Sequence, residues 1–227
     1  MPASRKADQV YTQIRHEIEL GALQPGQRMS EVWLVEHTGA SRTPVRDALR
    51  RLAADELVIL EPRQAPMVAP LSIQAIKDLF EFRRIIEIAT VESIAQRTVN
   101  EPSLKQKFEL LSLKFLHLDR EVTDFLTQFT DLTSAFDELI SQHANNRFLE
   151  KSIAGLQPHT TRLRVIAHSD DDRLQQSVQE HINMCTAIAT GDSDAAAHFC
   201  RQHLIHVEQS ILKSLVTGDF GAVNLQA

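Results

Sequence analysis

The 227-residue sequence predicts a mostly helical protein, in which three short helices and a β-hairpin precede an all-α bundle of about six helices. Two observations support this fold class. Turn-forming residues concentrate in the first seventy positions, whereas beyond Leu71 apolar residues recur at helical spacing and no segment alternates like a strand. In addition, no apolar run approaches the roughly 20 residues that a membrane-spanning helix needs.

Start and stop signals define the first two helices. Apolar residues recur at helical spacing from Val10 to Ile18, and Gly21 ends that helix. Ser30 can cap a second helix, which ends at Gly39. The sequence therefore predicts two short helices separated by a Pro-Gly turn.

A third helix and a hairpin complete the N-terminal part. Ser41 can cap this helix, and Pro44 lies in its first turn, where a missing N–H costs little. Its apolar stripe consists of Val45, Ala48, Leu49 and Leu52. Residues 57–60 and 67–69 then predict two strands joined by a turn at residues 61–66. Three short helices followed by a hairpin are typical of a winged helix-turn-helix domain.

The remainder of the chain carries four more apolar stripes. They are Leu104, Phe108, Leu111, Phe115 and Leu118; Val122, Phe125, Leu126, Phe129, Leu132, Phe136, Leu139 and Ile140; Leu174, Val178, Ile182, Cys185 and Ala189; and Ala196, Phe199, Cys200, Leu204, Val207 and Ile211. Residues 76–97 and 148–166 bring the count to about six helices. Since Ser72 can cap the first, we expect domains at residues 1–70 and 71–219 and a flexible tail at residues 220–227.

Charge and cysteine content limit the class of protein. Residues 1–70 carry nine Lys/Arg and nine Asp/Glu, so the net charge of −6 belongs to the rest of the chain. Only a local cluster of cations could therefore bind nucleic acid. Cys185 and Cys200 cannot form a disulfide framework, and no apolar secretory segment follows Met1. We expect a cytoplasmic protein with no membrane partner.

Sequence motifs of enzymes are missing. None of the ten histidines has a Glu three residues before it, as di-iron helical bundles require. The sequence also lacks a Gly-rich phosphate loop, a nucleophile elbow and a Cys-x-x-Cys motif. We therefore expect no enzymatic activity, with a metal-dependent enzyme built on the bundle as an alternative.

A cluster of cations lies on the third helix, opposite its apolar stripe. Arg42, Arg46 and Arg50 are four residues apart, and Ser41 and Thr43 stand at the N-terminal end. That end of a recognition helix enters the major groove, where Arg pairs with guanine and hydroxyls bind phosphate. A solvated basic face is the alternative, but the preceding turn, the capped second helix and the hairpin favour DNA binding.

These segments resemble a known family of regulators. Residues 21–26 (GALQPG) and 41–49 (SRTPVRDAL), followed by Leu52, resemble the N-terminal domain of GntR-family transcription regulators over nearly all of residues 10–70. The resemblance implies operator contacts by the Arg and Thr side chains near the start of the third helix and a phosphate contact by the Ser. With the rest of the cationic face and the turn of the hairpin, the predicted DNA contacts are Ser41, Arg42, Thr43, Arg46, Arg50, Arg63 and Gln64.

The sequence departs from the family pattern at three positions. Val32 stands where the family usually has a DNA-contacting Arg, so that contact is lost. Glu56 and Ala65 stand where Gly is usual. Glu56 must then take a turn conformation that Gly takes at lower cost. Ala65 alters the wing tip, which leaves Arg63 and Gln64 as wing contacts.

The helical remainder resembles the ligand-sensing domain of the FCD branch of GntR regulators. Residues 79–83 (LFEFR), residues 146–149 (NRFL), His181 and His203 carry this resemblance. About six helices suit the vanillate-regulator-like subgroup. The resemblance implies a homodimer on double-stranded, palindromic operator DNA and a small organic acid as effector.

The resemblance also implies a divalent metal. Many members bind one through an Asp, a His four residues later and two further His; the matching residues here are Thr133, Asp137, His181 and His203. Asp137, His181 and His203 suit Zn, Ni, Mn or Fe. Helical periodicity places both histidines inside their stripes and Asp137 at the border of its own. A metal-free network of core histidines bonded to Asp137 is an equal alternative.

Arginines supply further candidates for effector binding. Arg83 lies four residues before Glu87, which fits either a surface ion pair or a cavity arginine that grips a carboxylate. Arg162 and Arg164 lie on another predicted helix. The predicted effector contacts are Arg83, Arg164, Thr133, Asp137, His181 and His203.

Together the two domains predict a ligand-responsive transcription regulator, acting as a repressor of a metabolic operon. A ligand-independent architectural DNA-binding protein is the alternative. The interior His and Asp of a large separate bundle favour an effector pocket over a mere spacer.

Overall fold

The structure is a computed structural model that describes residues 2–119, 122–167 and 171–217. The described residues form nine helices and one two-stranded sheet, which confirms the predicted fold class. The elements are α1 (Pro2–Glu19), α2 (Glu31–Thr38), α3 (Arg42–Ala54), β1 (Val58–Ile59), β2 (Met67–Val68), α4 (Ile73–Thr98), α5 (Pro102–Leu116), α6 (Phe125–Gln142), α7 (Arg147–Ala167), α8 (Asp171–Thr190) and α9 (Ser193–Thr217). None of the described helices could cross a membrane. The expected tail at residues 220–227 lies outside the described residues.

The described residues divide into two compact units. The N-terminal unit consists of residues 2–75, 158–166 and 213–217, and the helical unit consists of the described parts of residues 76–157 and 167–212. The ends of α7 and α9 therefore belong to the same unit as α1–α3, although they are distant from these helices in sequence.

The N-terminal unit packs its first three helices around one apolar core. The stripe predicted on α3 is buried, and Leu52 is fully enclosed. Ile14 and Ile18 of α1 and Leu34 of α2 complete the centre of this core, each at most 1% exposed. Because α3 buries one face against α1, its opposite face is left to the solvent.

The predicted N-caps of α2 and α3 differ in their bonding. The Ser30 hydroxyl accepts a hydrogen bond from the Trp33 backbone N–H at 3.1 Å, as expected for a cap of α2. Ser41 occupies the N-cap position of α3, but its side chain makes no capping hydrogen bond. At the other end of α2, Gly39 has a φ of 61°, the left-handed conformation that ends many helices.

The hairpin after α3 forms a short wing. Val58 pairs with Val68 and Ile59 with Met67 in an antiparallel register, so the paired strands are shorter than predicted. Glu56, which precedes β1, has a φ of 58°, as its place at a usual glycine position implied.

Helices α4–α9 form the predicted six-helix bundle, and α5 packs along α8. Most predicted stripes are buried, including Phe108 and Phe115 of α5 and Phe129 of α6. Two details of the α6 stripe were wrong. The helix begins at Phe125 rather than near Val122, and Leu126, in the first turn of the helix, is 51% exposed.

Helix α7 contributes its second half to the N-terminal unit, beginning at the helix-interior Pro158. In that half, the His159 Nε2 lies 2.9 Å from the Asp55 backbone oxygen and therefore donates to it. Arg162 Nη2 donates to the Ala69 backbone oxygen. These two hydrogen bonds stabilise the N-terminal unit. Each joins a backbone carbonyl to a side chain that lies about a hundred residues later in the chain.

Candidate functional site

The outer face of α3 presents the predicted DNA contacts to solvent. Ser41, Arg42, Thr43, Arg46 and Arg50 are all exposed. Within the described residues, neither Arg42 nor Arg50 makes a hydrogen bond or an ion pair, so both guanidinium groups can take an external partner. The N-terminus of α3 adds unpaired backbone N–H groups that favour an anion such as a phosphate.

Two further arginines of α3 are paired with acids of the same unit. Arg46 Nε lies 2.9 Å and 3.1 Å from the two carboxylate oxygens of Glu31. Arg51 donates from Nη1 to Asp8 Oδ1 at 2.6 Å and stacks over the Tyr11 ring. The Arg46 side chain remains 58% exposed despite its pair. The cationic face is therefore partly neutralised but not covered.

The wing tip places the predicted wing contacts in an exposed turn. Arg63 has a φ of 65°, and both Arg63 and Gln64 are exposed. The Arg28 side chain donates to the Ala65 carbonyl at 3.4 Å, and Arg28 also forms a β-bridge with Met67. Arg28 therefore braces the wing. No hydrogen bond or ion pair links this turn to α3 in the described part of the unit.

The helical unit contains a second group of candidate functional side chains, which we call the polar cluster. Its members are Arg83, Glu87, Asp137, Arg173, Glu180, His181, His203 and His206.

Glu180 is the centre of the polar cluster. Its Oε2 accepts from Arg173 and from His203 Nδ1, both at 2.7 Å, and its Oε1 accepts from His206 Nδ1 at 2.7 Å. Burial would raise the pKa of Glu180, but the hydrogen bonds from His203 and Arg173 and the charge of Arg173 lower this pKa to about 2. Glu180 is therefore an ionised carboxylate in the interior.

The partners of the two candidate ligand histidines fix their tautomers. A carboxylate only accepts hydrogen bonds, so His203 donates to Glu180 from Nδ1. His181 likewise donates from Nδ1 to the Ser177 carbonyl at 2.7 Å. Burial lowers the pKa of His203, which favours the neutral ring with a lone pair on Nε2. The two rings are in contact, with centroids 4.6 Å apart, and His181 also stacks on Phe115.

Arg83 and Glu87 form the predicted i, i+4 ion pair, but it is not on the surface. Arg83 Nε and Nη2 donate to Glu87 at 2.6 Å and 3.3 Å, and both residues are 8% exposed. Burial would lower the pKa of Arg83, but the charges of Glu87 and Asp137 raise it. Asp137 and His203 both interact electrostatically with Arg83, so the polar cluster is continuous.

The donor set does not fit the metal that the family resemblance implies. In the part of the chain that the structure describes, no group of three or more His, Cys, Asp or Glu side chains could hold a metal ion. Thr133 replaces a carboxylate ligand, and its hydroxyl donates to the Thr130 carbonyl at 2.9 Å. His181 and His203 are brought together, whereas Asp137 is linked to them through Arg83.

Most predicted effector residues lie in the helical unit, but Arg164 does not. It is half-buried in α7 after Pro158 and belongs to the N-terminal unit. Arg173 and Glu180 were not predicted from the sequence, although opposite charges seven residues apart on α8 mark one face of a helix. Nor was Glu31 predicted as the partner of Arg46, because a contact between two helices has no fixed sequence spacing.

Comparisons with known proteins agree with both units. The profile of the bacterial regulatory proteins of the gntR family matches residues 6–68, and that of the FCD domain matches residues 78–206. The uncharacterized HTH-type transcriptional regulator YdhC of Bacillus subtilis is 26% identical over 207 residues, covering 88% of this chain and 91% of YdhC. The HTH-type transcriptional repressor RspR of Escherichia coli is 24% identical over 210 residues, covering 92% of this chain and 90% of RspR.

Solved structures share the fold. E. coli McbR/YncC superimposes with a TM-score of 0.68 at 21% identity, covering 95% of this chain and 99% of that protein. A GntR protein structure from Rhodococcus sp. RHA1 gives 0.71 at 20% identity, covering 92% and 98%. The relatives matched in sequence are transcriptional regulators, not enzymes. This chain therefore belongs to the gntR family of bacterial regulatory proteins with an FCD domain, and it is an HTH-type DNA-binding transcriptional regulator.

Proposed function

We propose that this regulator is a cytoplasmic, ligand-responsive repressor of a metabolic operon, which binds a palindromic operator as a homodimer. Residues 1–70 bind DNA, and residues 71–219 bind a small organic acid and form the dimer, as in the vanillate-regulator-like subgroup. The similarity to the repressor RspR supports the direction of control. The single observation that carries the proposal is the exposed cationic face of α3, where neither Arg42 nor Arg50 makes a hydrogen bond or an ion pair within the described residues.

Operator recognition is assigned to α3 and the wing. Arg42, Arg46 and Arg50 contact base edges or phosphates. Ser41 and Thr43 bind phosphate beside the N-terminus of the helix. Arg63 and Gln64, in the turn of the wing, add further contacts.

Replacing Arg42 by Ala should lower operator affinity about 10- to 100-fold, the range expected for one bidentate base contact, without changing the fold. Arg201 of α9 is also an exposed arginine, so Arg201→Ala is the matched control. The measurement is fluorescence anisotropy with a duplex that the full-length protein enriches from a random library. Equal affinities for Arg42→Ala and the control would remove α3 from the interface.

Effector binding is assigned to the polar cluster together with Thr133. Because the His203 ring is neutral, an incoming carboxylate would favour its protonated form, which then pairs with the acid. Binding of an acid should therefore take up a proton and tighten as the pH falls. Arg164 provides a further candidate contact, although it lies in the N-terminal unit.

The double variant His181→Ala/His203→Ala should lose the effector response while it keeps DNA binding. His198 is exposed on the same helix as His203, so His198→Ala is the control. The response is measured as release of the duplex by a panel of aromatic and aliphatic mono- and dicarboxylic acids. A double variant that responds like the control would place the sensor elsewhere, and a wild-type protein insensitive to every acid would favour an architectural role.

The family resemblance also implies a divalent metal in the helical unit. Two histidines and one carboxylate would suit Zn, Ni, Mn or Fe, but among the described residues Asp137 is linked to His181 and His203 through Arg83. We propose that the effector binds directly to protein side chains. The metal content of the purified protein is measured by elemental analysis. A stoichiometric amount of any of these metals would contradict direct binding of the effector.

A further inference from the structure

Glu31 and Arg46 form a pair that the fold does not require. Glu31 is the first residue of α2, and Arg46 lies on the outer face of α3. Their side chains are 34% and 58% exposed, and surface ion pairs of this kind contribute little to stability. The hydrogen bond from Arg46 lowers the pKa of Glu31, so the carboxylate is ionised when it meets DNA.

The geometry of the pair leaves the DNA-reading edge of Arg46 open. Both Glu31 oxygens contact Nε, at 2.9 Å and 3.1 Å, and no hydrogen bond to Nη1 or Nη2 is present in the described part of the chain. The two terminal nitrogens are the fork that pairs with O6 and N7 of guanine. A guanidinium anchored at Nε loses less rotational freedom when this fork meets a base.

The charge of Glu31 acts in the same direction. Its carboxylate lies beside two of the predicted DNA-binding cations, since both Arg42 and Arg46 interact with it electrostatically. Binding to phosphates without base contacts depends on net positive charge, so a fixed carboxylate on this face weakens non-specific binding. In specific binding, the contact of the oriented Arg46 terminal nitrogens with a guanine compensates for this loss of electrostatic attraction.

We propose that Glu31 is a specificity-determining residue of the DNA interface: it orients Arg46 through Nε for guanine recognition and penalises non-specific contact with the phosphate backbone. The inference rests on the proposed operator recognition by α3. It assigns to the start of α2 a positioning role that depends on Arg46.

The test compares Glu31→Gln with Glu36→Gln in the full-length protein. Glu36 is exposed on the same helix and makes no hydrogen bond or ion pair to α3 within the described residues, so the control makes the same charge change without the Arg46 pair. Each variant is titrated with the duplex that wild-type protein enriches from a random library and with a scrambled duplex of equal length. Thermal unfolding establishes that each variant is folded.

Glu31→Gln should bind the scrambled duplex about 2- to 5-fold tighter and the enriched duplex more weakly, so that the ratio of the two affinities falls at least about fivefold. The loss of affinity for the enriched duplex should be greatest at one base pair, the one at which Arg46→Ala also no longer distinguishes the preferred base from the others. Glu36→Gln should leave the ratio unchanged. A ratio for Glu31→Gln equal to that of Glu36→Gln would overturn the inference.

The Arg46→Ala variant separates this failure from failure of the proposed function. If Arg46→Ala weakens the enriched duplex while Glu31→Gln matches its control, Arg46 contacts DNA and Glu31 does not direct it. If Arg46→Ala leaves binding unchanged, this contact of the proposed function fails, and the inference fails with it. If Glu31→Gln still changes the ratio when Arg46 is already Ala, the positioning role is contradicted, because its effect would not pass through Arg46.

Discussion

At the residue scale, Glu180 is an acid that pairs with basic side chains of the polar cluster. Its carboxylate accepts hydrogen bonds from Arg173, His203 and His206, and its pKa is lowered from 4.5 to about 2 in the folded protein. A group whose pKa is depressed by folding stabilises the protein above its unfolded pKa. The contribution of Glu180, about 3 kcal/mol, should therefore be complete above about pH 4.5 and disappear as the pH falls towards 2.

Replacing Glu180 by Gln should remove this contribution. We expect the free energy of unfolding to fall by about 3 kcal/mol near neutral pH, and by much less at about pH 3, where the wild-type carboxylate has already lost most of its advantage. Urea unfolding at the two pH values measures the difference. The exposed Glu81 provides the control Glu81→Gln. A deficit that is the same at both pH values would show that Glu180 acts through shape rather than charge.

The sequence predicted the two histidines of the polar cluster but not the acid that orients them. His181 and His203 fall inside apolar stripes, and a titratable group at such a position indicates an interior role. Glu180 lies next to His181 and therefore points in a different direction on α8. Its burial depends on how α8 meets α9, which helical periodicity does not specify.

At the element scale, the serines at the N-caps of α2 and α3 have different expected roles, one in stability and one in DNA binding. Ser30 caps α2 through its hydroxyl, whereas Ser41 has the same position on α3 without a capping bond. Ser30→Ala should therefore lower the free energy of unfolding by about 1 kcal/mol. Ser41→Ala should be nearly neutral for stability but should weaken DNA binding, because its hydroxyl is available for a phosphate.

Chemical denaturation measures the stability of both variants, and fluorescence anisotropy measures their DNA affinity. Each variant serves as the control for the other. A Ser41→Ala variant that is as destabilised as Ser30→Ala would mean that Ser41 caps α3 in solution. Wild-type DNA affinity for Ser41→Ala would exclude the phosphate contact.

Element positions were predicted well where a helix has one partner face. The stripes of α3 and α5 are buried as predicted, because each helix packs mainly along one neighbour, α1 or α8. The prediction failed at the start of α6, where Leu126 is exposed. An apolar residue near a helix end satisfies the periodic pattern whether or not another element covers it.

At the scale of the whole molecule, α7 completes the unit that contains the DNA-binding helices. His159 and Arg162 donate to the backbone carbonyls of Asp55 and Ala69. A fragment of residues 1–75 lacks both donors. It should therefore be less stable than the same unit in the full chain by about 2 kcal/mol, the contribution of two net hydrogen bonds.

The single tryptophan makes this measurable, since Trp33 lies in α2 and reports on the N-terminal unit. Urea unfolding followed by tryptophan fluorescence should show a lower midpoint for the fragment than for the full-length protein. Coincident midpoints would mean that the second half of α7 contributes nothing to this unit.

The discontinuous N-terminal unit has a consequence for exchanging DNA-binding modules between relatives. A chimera joined only at residue 75 would pair the transplanted carbonyls of Asp55 and Ala69 with whatever side chains the recipient's helix offers. To transfer the operator preference of one relative to another, residues 158–166 should therefore be moved together with residues 1–75. The alternative is to change single side chains on α3. Swapping at one junction should yield proteins that recognise the donor's operator poorly even when every base-reading residue is retained.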